Sequence, residues 1–141
     1  MTTYTKNNKE KIHFNDLFKN SNEKSYNIAE IGINHNGDLE LAKELIKISY
    51  QIGFDCVKFQ KRAPELCVPL NKRDEKRITP WGEMTYFEYK KKIEFSTNEY
   101  NEINSYCKKL GIDWSASAWD IKSLDFLSQY DLPFIKVPSD K

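Results

Sequence analysis

Several common functional motifs are missing from this sequence, and each absence narrows the possible functions. There is no glycine-rich phosphate loop, no GxSxG and no HExxH, so nucleotide-binding folds, serine hydrolases and zinc peptidases have no support. No run of about 18 apolar residues occurs, and the start of the chain lacks the apolar segment of a secretory signal. The sequence therefore predicts a cytoplasmic protein with no membrane partner.

The net charge and the cysteine content further restrict the classes of molecule that the protein is expected to bind. The 22 basic and 21 acidic side chains give a formal net charge of +1, so no global field favours binding to nucleic acid. The three cysteines form no CxxC pair and no Cys/His metal spacing. An odd number of cysteines without a secretory segment indicates reduced thiols. Partners are therefore expected at a local site.

The composition changes at about Tyr26. Residues 1–25 are rich in Asn, Lys, Ser and Thr, which predicts a polar leader that lies on the surface of the folded unit. One short apolar patch interrupts this leader, formed by Ile12, Phe14, Leu17 and Phe18. Residues 26–141 alternate apolar runs with amphipathic stretches, as is typical of a folded α/β unit.

The alternation within residues 26–141 predicts individual strands and helices. An apolar run at 26–33 leads into the turn 34–37, and Asp38 is placed to cap a helix that ends near Gly53. The remaining predicted elements are strands at 54–59, 112–118 and 134–137 and helices at 98–110 and 120–131. Four strands joined by three helical connections predict a parallel sheet with right-handed crossovers.

The stretch 61–95 is too long for a simple turn. It contains Pro64, Pro69 and Pro80, so we interpret it as an elaborated loop with one helix around residues 84–93. Long loops that follow strands in such folds often build the functional site.

Polar residues on the strands distinguish an open sheet from a barrel. A two-sided open sheet needs two apolar faces on each strand, yet every predicted strand has a polar group on one face. The residues that share these faces are Ile28, Glu30 and Gly32; Cys56, Lys58 and Gln60; Ser115 and Ser117; and Phe134 and Lys136. This pattern predicts a (β/α)₈ TIM barrel. Such barrels need about 250 residues, so the chain holds only the first four β/α units of an incomplete barrel.

In a barrel, these polar faces bring Glu30, Lys58, Ser117 and Lys136 to the carboxyl ends of neighbouring strands. Two lysines beside one glutamate leave a positive charge without a partner, which favours a bound anion. Lysine amines, a serine hydroxyl and the N–H groups near Ser139 suit a small ligand with phosphate and carboxylate groups. The alternative is a structural network in which both lysines pair with Glu30 and other acids.

Other polar and aromatic residues are open to two interpretations. His35, just past the first strand, suits a metal or acid–base role or a role in stiffening its loop. Glu30 suits a base or substrate-positioning carboxylate, or a buried acid held by Lys58. Four aromatic residues of the long loop suit either sugar stacking or packing: Trp81, Tyr86, Phe87 and Tyr89.

Several ordered segments of this chain together resemble the N-acetylneuraminate (sialic acid) synthase family. They are IAEIGINHNG at 28–37, VKFQ at 57–60, PELCVP at 64–69, TPWGEMTY at 79–86, DWSASAWD at 113–120 and FIKVPS at 134–139. The resemblance runs from about Tyr26 to the end of the chain.

The resemblance implies a metal-dependent transferase of carbohydrate biosynthesis. In that reaction, C3 of phosphoenolpyruvate attacks the aldehyde carbon of open-chain N-acetylmannosamine or a related N-acetylated hexose, water adds at C2, and phosphate leaves. Matched onto this sequence, the phosphoenolpyruvate-binding residues are Lys58, Ser117, Lys136 and Ser139. Glu30 is the candidate catalytic residue beside the sugar. Asn34, His35 and Gln60 are further candidate site residues.

Other properties that the resemblance implies lie outside this sequence. The divalent metal, Mn²⁺ or Mg²⁺, is held by histidines of later strands, so we expect no metal site in this segment. A C-terminal domain that completes the site across a homodimer also lies further on. Pro138 departs from the small residue of relatives and removes a backbone N–H that could bind phosphate.

An incomplete barrel exposes the edge of its last strand, so we expect this chain, as a fragment, to be inactive alone and to be poorly soluble or self-associating. Two alternative functions remain open. One is a Schiff-base aldolase or lyase with Lys58 or Lys136 as nucleophile, and the other is a non-catalytic fragment that binds a phosphorylated ligand.

Overall fold

A computed structural model describes residues 11–18 and 25–139 of the chain. Its helices are α1 (Leu39–Gln51), α2 (Pro64–Cys67), α3 (Tyr86–Lys92), α4 (Thr97–Leu110) and α5 (Ile121–Leu127). Its strands are β1 (Ile28–Gly32), β2 (Cys56–Lys61), β3 (Lys76–Thr79), β4 (Gly82–Thr85) and β5 (Asp113–Ala118). Short 3₁₀ helices cover Phe14–Phe18 and Leu70–Lys72. Among the described helices, none is long and apolar enough to cross a membrane.

Three parallel strands form the main sheet in the order β1-β2-β5. Glu30 of β1 lies opposite Lys58 of β2, and Lys58 lies opposite Ser115 of β5. Helices α1 and α4 lie in the connections between these strands, as a parallel sheet requires. The α/β fold with a parallel sheet that the sequence predicts is therefore confirmed.

Side-chain alternation separates an apolar face of the sheet from a polar one. The apolar face packs against the helices in a core that includes Ile31, Ile46, Val57, Phe59, Tyr100, Ile103, Trp114, Ala116 and Leu127. Residues of the opposite parity, including Lys58 and Ser117, lie on the other face. The core therefore anchors one side of each strand and leaves the other side for the polar groups.

Local capping explains where the longer helices begin and end. Asp38 accepts hydrogen bonds from the backbone N–H groups of Glu40 and Leu41 at the start of α1. Ser96 and Glu99 form a capping box at the start of α4, and Gly111 ends that helix with a φ of 84°. Capping residues of this kind are among the signals by which helix ends can be predicted from sequence.

Two regions differ from the sequence prediction. The predicted fourth strand at 134–137 is reduced to a single parallel bridge between Ser117 and Lys136. The stretch 61–95 contains an antiparallel hairpin, β3-β4, besides the predicted helix. The hairpin was missed because both strands are short and polar, which left no apolar alternation to detect. The first four β/α units of a barrel remain a prediction.

The described part of the predicted leader packs on the body of the chain. The Phe14 ring lies 4.9 Å from the Phe134 ring and 5.4 Å from the Tyr26 ring, measured between centroids. Ile12 is buried, and Lys11 forms an ion pair with Asp113, the first residue of β5. This segment therefore covers the amino end of the sheet, opposite the predicted site. Residues 1–10 and 19–24 of the leader lie outside the described residues.

Candidate functional site

The site is centred on Lys58, which lies on the middle strand of the sheet. Its Nζ atom lies 2.5 Å from Glu30 Oε2 and donates a 3.1 Å hydrogen bond to Ser117 Oγ. The Lys58 side chain is 7% exposed and that of Glu30 is 52% exposed. The structure thus brings three predicted site residues from three strands together, and we call Glu30, Lys58 and Ser117 the Lys58 group.

A second row of residues lies one step further toward the carboxyl ends of the strands. Gln60 is opposite Ser117 in the register, and Ser117 forms the bridge to Lys136. Because paired residues of a parallel sheet share a face, Lys136 lies on the same face as Ser117, at the sheet edge. A Cβ atom added at Gly32 would lie 3.6 Å from both Gln60 Nε2 and Glu30 Oε1, so both side chains lie over Gly32.

Two predicted residues are exposed near the site without a described contact to Lys58. Asn34 lies in the turn after β1, and its backbone N–H donates to the carbonyl of Ile31. Ser139 is exposed at the end of the described chain. The hydrogen bonds within residues 11–18 and 25–139 do not join either residue to the Lys58 group.

His35 lies on the core side of the turn rather than in the Lys58 group. Its ring is 2% exposed, stacks on Phe95 with 4.1 Å between centroids, and accepts a hydrogen bond at Nδ1 from the Gly37 N–H. Burial lowers its pKa from 6.5 to about 4, because the apolar surroundings disfavour the charged ring. This geometry favours the loop-stiffening role over an acid–base role for His35.

A second group of charged residues, not predicted from the sequence, lies beside this site, and we call it the Arg62 cluster: Lys61, Arg62, Lys90 and Glu94. Arg62 Nη2 donates a hydrogen bond to Gln60 Oε1, so the cluster adjoins the Lys58 group through Gln60. Glu94 Oε2 lies 3.3 Å from Lys61 Nζ, and Glu94 Oε1 lies 3.6 Å from Arg62 Nε. Two cations therefore contact one carboxylate, and Lys90 adds a third positive charge to the cluster.

Aromatic rings, rather than further carboxylates, face the cations of the Arg62 cluster. The Arg62 guanidinium lies 4.5 Å from the centroid of the Trp119 ring. Lys90 Nζ lies 5.2 Å from the Tyr86 ring and 5.4 Å from the Tyr89 ring. Such contacts contribute about 0.5–2 kcal/mol each, whereas removing one charge from water costs several kcal/mol. The rings therefore offset only part of the cost of burying Arg62 and Lys90.

The Arg62 cluster carries more positive than negative charge. The burial of its polar atoms and the pKa shifts of its residues both indicate this excess. Arg62 Nε is buried and has no hydrogen-bond acceptor in the described part of the chain. Burial and the nearby Arg62 charge lower the pKa of Lys90 to about 8. Burial also raises the pKa of Glu94, against the opposing effect of Lys61 and Arg62.

The sequence could have indicated one part of the Arg62 cluster but not the other. Arg62 follows Lys58 and Gln60 at alternate positions, so the parity of β2 places it on the same side. Lys90, by contrast, begins the run Lys90–Lys92 on a helix, which indicates a solvated face until burial is known.

The four aromatic residues of the long loop contact cations of that loop. Arg73 faces Phe87, Arg77 faces Tyr86 and Lys92 faces Trp81, with distances of 4.6, 4.7 and 4.9 Å from cation to ring centroid. Within residues 11–18 and 25–139, no group of three His, Cys, Asp or Glu side chains is arranged to bind a metal ion.

Comparisons with known proteins agree with this geometry. A sequence model of the NeuB family matches residues 45–141, more than half of the chain. The N-acetylneuraminate-9-phosphate synthase of Drosophila melanogaster is 43% identical over 116 residues, covering 81% of this chain and 31% of the relative. The enzyme of the same name from Homo sapiens is 42% identical, covering 79% and 32%. The N,N'-diacetyllegionaminic acid synthase of Legionella pneumophila is 34% identical, covering 79% and 32%.

Two solved structures are similar in fold. The N-acetylneuraminic acid (sialic acid) synthetase of Leptospira borgpetersenii, in complex with citrate, aligns with a TM-score of 0.68 at 25% identity, covering 82% of this chain and 36% of that chain. A spore coat polysaccharide biosynthesis protein E from Chromobacterium violaceum aligns with a TM-score of 0.65 at 21% identity, covering 82% and 34%. This chain thus spans about a third of the length of the proteins it matches.

The family match over residues 45–141 confirms the resemblance that the ordered sequence segments indicated. The chain belongs to the NeuB family of sialic acid synthases.

Proposed function

We propose that this chain is the phosphoenolpyruvate-binding part of a sugar acid synthase, which condenses phosphoenolpyruvate with N-acetylmannosamine or a related N-acetylated hexose. One observation carries the proposal. The Lys58 ammonium is 7% exposed and is held only by the Ser117 hydroxyl and by Glu30, a carboxylate that is half exposed, among the described residues. A buried cation with one replaceable partner suits a small dianion.

The chemistry of the proposed reaction is balanced without an external oxidant. The C3 atom of phosphoenolpyruvate forms a bond to the aldehyde carbon of the open-chain sugar, and the aldehyde oxygen takes up a proton. Water then adds at C2, and the C2–O bond to phosphate breaks. The products are a nine-carbon keto acid and inorganic phosphate.

In this proposal the candidate site residues divide between the two substrates. Lys58, Ser117, Lys136 and Ser139 bind the anionic groups of phosphoenolpyruvate. Glu30 is displaced from Lys58 when the substrate binds, and its carboxylate then orients the sugar or moves a proton. Asn34 and Gln60 contribute amide groups to the sugar side.

The wider architecture in this proposal follows the family resemblance. The parallel sheet forms the first units of a (β/α)₈ barrel, and the whole enzyme acts as a homodimer in the cytoplasm. Three free cysteines are consistent with that compartment. A divalent cation, Mn²⁺ or Mg²⁺, would polarise the sugar aldehyde when bound. The described residues offer it no ligand set, so this part of the enzyme contributes anion binding.

The nine-carbon product is proposed only as a class. Relatives include synthases named for N-acetylneuraminate 9-phosphate, N,N'-diacetyllegionaminic acid and pseudaminic acid. All these names describe acids of the same type, which supports a common reaction with different sugar acceptors.

Isothermal titration of the 141-residue chain with phosphoenolpyruvate, pyruvate and inorganic phosphate tests this proposal. We expect phosphoenolpyruvate to bind at least about tenfold more tightly than either fragment, because it carries both anionic groups. Equal affinities for phosphoenolpyruvate and phosphate would contradict the proposed substrate. Phosphate release is then assayed with the whole enzyme that contains this segment, a panel of N-acetylated hexoses and a divalent metal.

Borohydride trapping distinguishes the aldolase alternative. If pyruvate becomes covalently attached to Lys58 or Lys136 after reduction, a Schiff base forms and the aldolase interpretation is correct. We expect no such adduct at Lys58, because an ammonium bound to a carboxylate has no lone pair for attack, and none at Lys136, because the proposed reaction forms no Schiff base.

A further inference from the structure

Lys136, one of the proposed phosphoenolpyruvate ligands, lies on a segment with few described attachments to the sheet. Two backbone hydrogen bonds form its bridge to β5, from the Ala118 N–H to the Lys136 carbonyl at 3.0 Å and from the Lys136 N–H to the Ala116 carbonyl at 3.2 Å. Ser115 Oγ donates a further bond to the carbonyl of Phe134. These bonds fix the backbone, so the direction of the exposed Lys136 side chain depends on what packs around the segment.

An aromatic ring from the leader packs against this segment on the face that carries Lys136. Ile135 packs against the hydrophobic core, so its neighbours Phe134 and Lys136 lie on the opposite, polar face. The Phe14 ring lies 4.9 Å from the Phe134 ring between centroids, with 36° between the ring planes. Two residues of extended chain separate Phe134 from Lys136 by about 7 Å. Phe14 therefore restricts the segment one side-chain row away from Lys136.

The amino end of the sheet in turn holds Phe14 in place. The Tyr26 ring meets the Phe14 ring edge to face, with 5.4 Å between centroids. The Tyr26 hydroxyl donates a 2.8 Å hydrogen bond to Asp113 Oδ2, and Lys11 Nζ lies 3.0 Å from Asp113 Oδ1. Burial raises the pKa of Tyr26, so its hydroxyl keeps this proton. Asp113, the first residue of β5, therefore anchors the chain on both sides of Phe14 in sequence.

This aromatic contact is separate from the core that joins the sheet to its helices. The core residues lie on the apolar face of the strands, and Phe14, Tyr26 and Phe134 are not among its members. Phe14 is half-buried rather than fully enclosed. Loss of its ring should therefore leave the main sheet folded and release the segment that carries Lys136.

We propose that Phe14 is a positioning residue of the candidate site, which acts through Phe134 to hold the Lys136 ammonium close to the ligand that Lys58 binds. This inference rests on the proposed binding of phosphoenolpyruvate and adds to it a residue from the opposite end of the sheet. Phe14 itself touches no substrate. Its ring limits the directions that the Lys136 side chain can take, so less conformational entropy is lost when the anion binds.

A double-mutant cycle tests this inference, because substitutions of two residues that act through one contact do not change affinity additively. Phosphoenolpyruvate is titrated calorimetrically into the 141-residue chain and into Phe14→Ala, Lys136→Met and the double variant. Phe18→Ala is the matched control, since Phe18 contacts the Phe14 ring but is 78% exposed and has no described ring contact with Phe134. Urea denaturation of each variant establishes that it is folded. Phe14→Leu replaces Phe14→Ala in the cycle should the alanine variant not fold.

We expect Lys136→Met to weaken binding at least about tenfold, because a charged hydrogen bond to the anion is lost. Phe14→Ala should weaken it at least about threefold, whereas Phe18→Ala should change it less than about twofold. The double variant should bind as weakly as Lys136→Met alone, because a lysine that is absent cannot be misdirected. Phe14→Tyr keeps the ring and should retain the wild-type affinity.

Wild-type affinity in Phe14→Ala would overturn this inference and leave the proposed binding of phosphoenolpyruvate intact. A loss of affinity by the same factor with and without Lys136 would overturn it too, because the leader would then act on the whole site. Unchanged affinity in Lys136→Met would remove Lys136 from the site, and the positioning role of Phe14 with it. A wild-type chain that binds no phosphoenolpyruvate would remove the synthase proposal and this inference together.

Discussion

Lys58 Nζ and Glu30 Oε2 lie 2.5 Å apart, on residues that face each other directly across the parallel strands β1 and β2. The two partners differ in solvent access, since the lysine side chain is 7% exposed and the glutamate 52%. Water can therefore solvate the carboxylate when an anion takes its place, whereas the ammonium stays buried. This asymmetry makes Lys58 the fixed member of the pair and Glu30 the mobile one.

Replacing Lys58 by Met should weaken the binding of phosphoenolpyruvate with little effect on the stability of the fold. Methionine has a similar shape, and the Glu30 carboxylate left behind is hydrated, so the free energy of unfolding should change by less than about 1 kcal/mol. Phosphoenolpyruvate affinity should fall at least about tenfold, because a charged hydrogen bond is lost. Urea denaturation and calorimetric titration measure the two effects.

Lys47→Met serves as the control for this substitution. Lys47 is exposed on α1, away from the polar face of the sheet, and should affect neither quantity. Unchanged phosphoenolpyruvate affinity in Lys58→Met would refute the role assigned to Lys58.

The sequence predicted the Lys58 group because strand parity alone decides which residues share a face of a sheet. Glu30, Lys58 and Ser117 were predicted together, and the register brings them into contact. Parity places Arg62 beside this group but could not predict the rest of the Arg62 cluster. Lys90 joins the cluster because α3 packs against the loop and buries this side chain. The run of three lysines at 90–92 has no apolar periodicity from which that burial could be predicted.

Acid should destabilise the protein through His35. Its folded pKa of about 4 is below the ordinary 6.5, so the unfolded chain takes up the proton first as the pH falls. The stabilisation is therefore full above pH 6.5 and is lost between about pH 6.5 and 4, with a total of about 3 kcal/mol. Urea denaturation across this pH range measures it.

The second histidine of the chain provides the comparison. His35→Gln should lower stability at neutral pH but flatten the dependence between about pH 6.5 and 4. His13→Gln should leave the dependence as in the wild type, since His13 is exposed. An unchanged slope in His35→Gln would show that another group causes the acid sensitivity.

Gly37 holds the turn after β1 against the link between α3 and α4. Its φ is +72°, and an added Cβ atom would lie 2.4 Å from the carbonyl oxygen of Lys92. Gly37→Ala should therefore cost about 3 kcal/mol, combining left-handed strain with a backbone clash. Gly111 also has a positive φ, +84°, but an added Cβ atom would meet open space. Gly111→Ala should therefore lower the free energy of unfolding by only about 1 kcal/mol. Equal losses in thermal and urea denaturation would show that the clash is relieved by movement.

The three thiols should differ in reactivity. Cys56 and Cys107 are buried and Cys67 is half-buried. Burial and the neighbouring Asp120 raise the pKa of Cys67 to about 11, so it should react with a disulfide reagent at pH 8 about a hundredfold more slowly than a free thiol. Cys67→Ser should remove the native reaction entirely, and rapid labelling of a second thiol before unfolding would contradict the burial of the other two.

The fold prediction was accurate for helices that begin at a capping residue and for strands that overlap an apolar run. Asp38, Ser96 and Asp120 each accept backbone hydrogen bonds at the start of a helix, and strand β2 overlaps the apolar run at 54–59. The predicted strand at 134–137 carries an apolar run as well, but it pairs with β5 only at Lys136. Pairing depends on neighbours beyond the segment itself, which local sequence patterns do not report.

The position of β2 between β1 and β5 limits how this protein can change during evolution. Lys58, Gln60 and Arg62 share one side because they stand at every second position. Inserting or deleting one residue between them would turn the downstream side chains into the helical layer and bring apolar residues to the ligand. The length of this strand is therefore constrained as strictly as the identity of its polar residues.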